Sequence, residues 1–310
     1  LMSTPRFSVV IAAYNAQRTI AETIDSVLAQ SETDFEIVAI DDGSSDGTLQ
    51  ILLGYAAVDE RVRVASQSNQ GVSAARNLGV AKATGQLIAF LDADDVWQGD
   101  KLARHAQLHD SEPAVEASFA RIAFCTDRDG TLRAGRTRSS VPAGACALED
   151  VIIENAVCTM SNLVVERQAL LAIGGFDRTM RHVEDQDLLA RLVGNGHVLR
   201  GIPETLVGYR MSADGLSCDF AAMLSAWKDL AGRWAHRIDV QRGEALYCRY
   251  LARRALRSGS TTTLARSFVR RGLTSDRKAF FSGGPRGVMT AGAALAGGAL
   301  PARARSTLFA

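Results

Sequence analysis

No glycine stands in the turn after the first strand-like run: Val9-Val10-Ile11-Ala12-Ala13 passes directly into Tyr14-Asn15-Ala16. The GxGxxG that lets a backbone approach a dinucleotide pyrophosphate is therefore missing, and no GxxxxGK followed by Ser or Thr occurs. NAD, FAD and P-loop chemistry fall together. Cysteine is sparse: Cys125, Cys146, Cys158, Cys218 and Cys248 are odd in number, widely spaced and without a CxxC pair. This argues against a disulfide framework or a zinc site and for a reducing, cytoplasmic setting. No HExxH is present; His105 and His109 stand four apart on an expected helix without a third ligand, which fits a surface or helix-flank role. Ser45, in Gly-Ser-Ser-Asp-Gly, is not a GxSxG elbow. The longest apolar stretch, Gly287 to Leu300, is rich in Gly and Ala and falls short of the roughly 20 residues of a membrane span. With no basic, apolar leader at the start, no transmembrane helix is expected.

What is present is a chain of 310 residues, 47% hydrophobic, enough for one large α/β domain with an appendage. A net charge of +1 conceals an asymmetry: residues 237–310 hold 14 Arg/Lys against 3 Asp/Glu, whereas residues 1–236 hold 21 against 31. An acidic body carries a basic tail. Within that tail Arg249, Arg253 and Arg257 recur every four residues, with Arg254 beside them and Arg270-Arg271 further on. Such a stripe is either a solvated helix face or a surface for anionic lipid.

Apolar runs at Phe7–Ala13, Phe35–Ile40, Arg61–Ala65 and Gln86–Leu91 predict strands. They alternate with helices at Thr19–Gln30, Thr48–Val58 and Val72–Ala83, where Ile20, Ile24, Val27 and Leu28 make one buried stripe. This βαβαβαβ pattern predicts a Rossmann-like, mostly parallel sheet with helices on both faces and right-handed crossovers. Beyond Asp95 mixed topology is expected: a helix at Lys101–His109, a strand at Val115–Phe124 and a hairpin turn at Asp129-Gly130. Short helices follow at Leu148–Asn155 and Arg167–Ile173, then a turn at Gly174-Gly175-Phe176, a helix at Asp185–Val193 and an edge strand at Thr205–Arg210. From Phe220 the pattern is helical, broken at Ser258–Thr263 and Ser282–Pro285. The domain boundary is placed near residue 216, giving an α/β domain at 1–216 (halves 1–97 and 98–216) and a basic helical extension at 217–310.

Four segments carry chemistry. The apolar run ending Phe90-Leu91 leads into Asp92-Ala93-Asp94-Asp95 with no Lys or Arg beside it in sequence, so a cation is expected there. Strand alternation would project Asp92 and Asp94 together and Asp95 away, and a carboxylate pair suits a hard divalent ion bridging protein and phosphate oxygens. Asp42, Ser44, Asp46 and Gly47 match the start of an EF-hand loop, but Leu53 stands where a bidentate Glu is needed, so calcium is excluded. Asp46 or Ser45 caps the next helix, or Asp42 also accepts from a ligand base; both readings stand. Asn69-Gln70-Gly71 through Arg76-Asn77 is either a tight loop before a closely packed helix or an anion site at a helix start. His182-Val183-Glu184-Asp185-Gln186-Asp187 is either a helix N-terminus with acidic dipole complements or the source of a general base. Tyr14, at the end of the first strand, either packs or lies against a flat base.

Together, Val9 through Asn15, Asp41-Asp42-Gly43-Ser44-Ser45-Asp46-Gly47-Thr48, Asn69-Gln70-Gly71 with Ala75-Arg76-Asn77, Leu91 through Asp95 and Glu184-Asp185 resemble the family 2 inverting glycosyltransferases. The resemblance covers about two thirds of the chain and leaves the basic tail outside it. It implies a GT-A fold, a nucleotide-diphosphate-sugar donor with UDP favoured, and Mn²⁺ or Mg²⁺ bridging protein and diphosphate. By the same resemblance Ala12, Tyr14 and Asp42 frame the nucleobase, Arg76 lies along the nucleotide, Asp92 approaches the ribose and Asp94 holds the metal. Asp185 is the implied base and Glu184 its neighbour. Ala12 departs from the pattern, because a hydroxyl residue is often found there. The implied reaction is one displacement with inversion, onto a hydroxyl of a glycan or lipid-linked acceptor in polysaccharide or cell-envelope glycan synthesis. No nucleic acid is expected, and the basic tail suggests peripheral attachment at the inner face of an anionic membrane. Two alternatives are a sugar nucleotidyltransferase, which wants a Gly-rich, Arg-bearing signature after the first strand, and a non-catalytic nucleotide- or glycan-binding module, which would have no need for both Asp94 and Asp185.

Overall fold

The structure is a computed structural model that describes residues 4–128, 131–211, 219–257 and 262–296. They fall into two compact units, Leu1–Ala147 with Ala156–Met211, and Leu148–Asn155 with Ser212–Ala310.

In the first unit the expected alternation opens the chain: β1 (Phe7–Ala13), α1 (Ile20–Leu28), β2 (Phe35–Asp41), α2 (Thr48–Val58), β3 (Val62–Ser66), α3 (Val72–Lys82) and β4 (Leu87–Asp92). These four strands lie parallel in the order β3-β2-β1-β4. The period of two along each strand sorts side chains to the two faces. Val9, Ile11, Ile37 and Ala39 pack with Ile20, Ile24, Val27 and Leu52 of α1 and α2. Val38 and Ile40 pack with Ala75 and Leu78 of α3. Helices thus cover both faces, and β1, β2 and β4 are buried along nearly their whole length, while β3 at the edge is not.

The chain then forms β5 (Val96–Trp97), α4 (Lys101–Ser111), β6 (Val115–Arg128) and β7 (Thr131–Arg138). After α5 (Leu148–Ile152) come a 3₁₀ turn (Met160–Asn162), β8 (Val164–Glu166), α6 (Arg167–Ala172), α7 (Glu184–Gly194) and β9 (Val198–Arg210). Among the described residues the sheet has nine strands in the order β3-β2-β1-β4-β8-β6-β9-β5, with β7 on β6. β8 runs antiparallel to β4 and β6, while β6 and β9 are parallel. Thr205–Arg210 is therefore not an edge: it is the end of a 13-residue strand flanked by β6 and by β5, which pairs Val96 with Gly208 and Trp97 with Val207. The hairpin turn at Asp129-Gly130 lies outside the described residues, although the strands it joins pair antiparallel.

His105 and His109 do not lie on a solvated flank. His105 is fully buried, its Nδ1 2.7 Å from Ser118 Oγ and its Nε2 3.0 Å from Lys101 Nζ, and His109 Nε2 reaches the same serine at 2.9 Å. Burial lowers the His109 pKa to about 4, so this polar chain through α4 holds neutral imidazoles.

The second unit joins α5 to α8 (Phe220–Arg233), α9 (Val240–Arg257), α10 (Thr262–Ser275), α11 (Arg277–Phe280) and α12 (Arg286–Ala296). Leu148–Asn155, expected within the first domain, groups here. Buried Trp227 donates its indole N–H to Ile152 O at 2.8 Å and stacks on Tyr247 with centroids 4.9 Å apart. At Arg249 the expected stripe on α9 is not a solvated face either. Arg249 is buried, donating to Phe280 O at 3.1 Å and Ser282 O at 2.6 Å and pairing with Glu154 at 3.1 Å. Arg254 lies over the rings of Phe220 and Tyr250. The breaker at Ser282–Pro285 does interrupt the helices, with Gly283 and Gly284 at φ 77° and 84°; most of Ser258–Thr263 lies outside the described residues. Among the described residues no helix is long and apolar enough to cross a membrane.

Candidate active site

The register places Ala12 of β1 beside Ile40 of β2 on one side and Asp92 of β4 on the other. The loops leaving these carboxyl ends therefore stand in a row, where ligands of open α/β sheets bind. The first two loops are laced together. Asn15, at φ 49°, accepts at Oδ1 from Ser45 N at 2.8 Å, Ala16 N donates to Thr48 Oγ1 at 2.8 Å, and Gly47 N donates to Gln17 Oε1 at 2.6 Å. Tyr14, between them, is 53% exposed. Asp42 is buried, and its carboxylate accepts from Gln67 Nε2 at 2.7 Å, Gln70 N at 2.9 Å and Gly71 N at 2.8 Å. It thus fixes the loop before α3, with one of about four acceptor positions left over.

β4 ends at Asp92, so Ala93 and Asp94 belong to a turn and strand alternation does not govern them; Asp95 N closes that turn on Asp92 O at 3.2 Å. Asp95 is fully buried, accepting from Ser161 Oγ at 2.5 Å and from Arg210 N at 2.8 Å. The Arg210 side chain donates to Asp94 O at 2.8 Å and pairs with Asp127 at 2.7 Å and with Glu22. The Asp92 carboxylate accepts from Thr159 Oγ1 at 3.1 Å and from Arg76 Nη2 at 2.6 Å. The charge that looked uncompensated in sequence is thus partly met by two arginines from distant segments.

Arg76 is buried on α3, 5.2 Å over the ring of Phe176. Its Nη1 reaches Glu184 Oε1 at 3.5 Å, so one guanidinium spans the end of β4 and the start of α7. Phe176 is set by its neighbours: Asn77 clamps its main chain from both sides, at 2.8 and 2.9 Å, and Phe90 meets it edge-on at 5.3 Å. Gly175, at φ 67°, makes the clamp possible, because a Cβ there would lie 2.7 Å from Asn77 Oδ1.

α7 starts at Glu184, preceded by Val183 at φ 55°, a left-handed conformation that costs a β-branched residue about 1–2 kcal/mol. Burial first, and the Glu184 charge second, push the Asp185 carboxyl up to about 7 despite the helix N-terminus. Asp187 is a different case: it is buried and paired with Arg191 at 2.8 Å, while Arg191 also donates to Ile173 O at 2.6 Å. That carboxylate holds the helix.

Burial, and then the charge of Asp92, push Asp94 up to about 6. Asp95 is also raised, by burial first and then by the charges of Asp94 and Asp92. Asp92 and Asp95 have hydroxyl, arginine or main-chain partners, whereas no side chain among the described residues bonds the Asp94 carboxylate. A hard, negatively charged oxygen donor held among like charges fits Mg²⁺ or Mn²⁺. Among the described residues no group of three or more His, Cys, Asp or Glu forms a cage. The fit is therefore to an ion completed by phosphate oxygens and water.

Arg210, Thr159 and Ser161 escaped the sequence reading. Their signal was weak: an arginine ending an apolar strand, and a hydroxyl-rich Thr159-Met160-Ser161-Asn162 before the apolar Leu163-Val164-Val165.

Residues 8–167 match the family described as Glycosyl transferase family 2. The putative teichuronic acid biosynthesis glycosyltransferase TuaG of Bacillus subtilis is 29% identical over 239 residues, 77% of this chain and 89% of that protein. An uncharacterised glycosyltransferase of Nostoc is 40% identical over 111 residues, 36% of this chain and 34% of that protein. Among solved structures, S. aureus TarS 1–349 in complex with UDP-GlcNAc superposes with a TM-score of 0.63 at 18% identity, covering 98% of this chain and 89% of that one. The mannosyltransferase PcManGT of Pyrobaculum calidifontis, in complex with GDP-Man and Mn²⁺, gives 0.52 at 20% identity, covering 98% and 79%. The fold is the mixed α/β GT-A fold, with a helical C-terminal region.

Proposed function

The chain belongs to glycosyl transferase family 2, and from that premise we propose that it moves a sugar from a nucleoside-diphosphate-sugar to an acceptor hydroxyl with inversion. The observation that carries the reading is the Arg76 bridge, which ties the donor-side carboxylate Asp92 to the acceptor-side carboxylate Glu184.

On this reading Tyr14 offers its exposed ring to the base, Ala12 leaves room beside it, and Asp42 uses its remaining acceptor position on a base N–H. Asp92 approaches the ribose, and Arg76 fixes both ends of the site. Asp94, with Asp92 near it, would hold a divalent cation, which when bound offsets charge on the diphosphate leaving group. Asp185 takes the proton from the attacking hydroxyl. A base poised near neutral pH is half ionised at working pH and still strong enough to accept that proton. Glu184 and Arg76 tune it from either side. The nucleophile attacks from the face opposite the leaving nucleotide, so one displacement suffices.

UDP is the favoured nucleotide and a cell-envelope glycan or its lipid-linked precursor the favoured acceptor. The support is the teichuronic acid relative and the UDP-GlcNAc bound to the TarS neighbour. The residues divide on this reading into a transferase domain at 1–216, with donor half 1–97 and acceptor half 98–216, and an extension at 217–310. The test is a panel of UDP- and GDP-sugars screened with and without Mn²⁺ for thermal stabilisation, followed by NMR of the product's anomeric proton. Stabilisation by one nucleotide-sugar and an inverted anomeric centre are expected; retention would overturn the single displacement, and no response to any nucleotide-sugar would overturn the donor class.

A further inference from the structure

α12 turns an apolar face outward. Val288, Met289 and Leu295 are 63%, 48% and 69% exposed, and Gly292 lies between them on the same face at helical spacing. The opposite face, Gly287, Thr290 and Ala294, is buried within its unit. Gly287 is seated so closely that a Cβ would lie 2.4 Å from Phe280 O, which brings the start of α12 against the end of α11. The corner is held from inside by Arg249 on Phe280 O and Ser282 O, and the far end by Arg266, which donates to Ala294 O and Leu295 O at 2.8 Å each. The outward apolar residues thus stand on a braced helix.

Charge says what covers them. Arg277, Lys278 and Arg286, at the α11–α12 corner, are all exposed. From Arg277 to the last residue the sequence holds five basic side chains and no Asp or Glu. Apolar residues at the centre, cations at the end and no Asp or Glu within α11 or α12, Asp276 being the cap of α11, suit the interface of an anionic bilayer, where apolar side chains enter the headgroup boundary and arginines stay with the phosphates.

We propose that the α11–α12 corner is a membrane-docking surface that inserts Val288, Met289 and Leu295 shallowly and holds lipid phosphates with Arg277, Lys278 and Arg286. This relocates the lipid contact from the α9 stripe, whose Arg249 is committed to internal bonds. It does not rest on the transfer reaction, since no donor or turnover enters its test.

The test is co-sedimentation of the full chain with vesicles of phosphatidylcholine alone and of phosphatidylcholine with phosphatidylglycerol in equal parts. Binding is expected only to the anionic vesicles and should weaken with salt. Arg277→Gln/Lys278→Gln/Arg286→Gln should lower the partition coefficient by about fivefold per cation, on the order of a hundredfold in all. Val288→Glu/Leu295→Glu should abolish it, with an unchanged thermal midpoint showing that both variants stay folded. Equal binding to both vesicles, no binding to either, or wild-type partitioning by the charge variant would overturn the proposal. So would a dimer in lipid-free sedimentation velocity that Val288→Glu/Leu295→Glu dissolves, because the face would then belong to a second copy of the chain.

Discussion

Arg76 Nη2 stands 2.6 Å from Asp92 Oδ1, and through that single contact a residue of α3 fixes the carboxylate that ends β4. Because the same guanidinium also faces Glu184, removing it leaves Asp92, Glu184 and Asp185 without a shared cation. Arg76→Gln should destabilise the fold by about 3 kcal/mol, the lower end for breaking a buried pair because Asp92 is partly exposed. Arg76→Lys should recover part of this, since one ammonium cannot span both carboxylates. Urea denaturation of the three proteins measures it, and equal midpoints would remove the bridge from the account.

Asp94→Asn should abolish metal-dependent affinity for the nucleotide while leaving the fold intact, because among the described residues no side chain bonds its carboxylate. Calorimetry with UDP, with and without Mn²⁺, reads this out. Undiminished metal-dependent binding in the variant would place the ion elsewhere.

Asp185→Asn should lower turnover about 10²–10⁴-fold with near-normal donor affinity, the pattern of a group that contributes in the transition state. In the wild type, kcat/KM for the acceptor should rise with pH through about 7, as Asp185 loses its proton and becomes a base. The rising limb should vanish in the variant. Asp187→Asn, by contrast, should act mainly on stability through its Arg191 partner.

Stability should carry the opposite pH dependence. Asp94 and Asp185 have folded-state pKa values of about 6 and about 7, above the ordinary 3.8. Between about pH 4 and pH 7 these two sites therefore bind more protons in the folded protein than in the unfolded chain, and their contribution to stability falls as pH rises, while buried His109, held neutral at a pKa of about 4, contributes the opposite slope. Asp185→Asn should flatten the fall and raise the melting temperature at pH 8 by several degrees, on the order expected for a few kcal/mol in a protein of this size. Scanning calorimetry of wild type and Asp185→Asn across this range decides it; identical pH dependence in the two proteins would contradict the raised Asp185 carboxyl.

Legibility followed sequence distance. β1, β2 and β4 could be read because each is an apolar run buried on both faces, β3 because Val62, Val64 and Ala65 keep it short and apolar at the sheet's edge, and the helices between them carry their stripes within a few residues. Asp92, Asp94 and Asp185 stand out as candidates in the sequence because carboxylates after an apolar run or at a helix start are conspicuous. The three-residue β8 and two-residue β5 left no period to detect, yet β8 is what joins β4 to β6. Arg210 was silent for the same reason: its meaning lies in Asp95, 115 positions earlier. Arg249 looked like surface charge because spacing shows which residues share a helix face but not whether that face meets water.

The course of the chain through the sheet also sets when the site comes into being. Arg76 and Asp92 are 16 positions apart, whereas Thr159, Glu184 and Arg210 join their partners across 67, 108 and 115. On a ribosome adding about 5–20 residues per second, β1 to β4 emerge seconds before β8 and β9 are made, and distant pairings are the slow ones to form. During that interval, of the described side chains that bond the three carboxylates at the end of β4, only Arg76 has been made. Arg210, made last of these, closes its main chain onto Asp95 from β9, the strand that pairs with β5 directly after the aspartate turn.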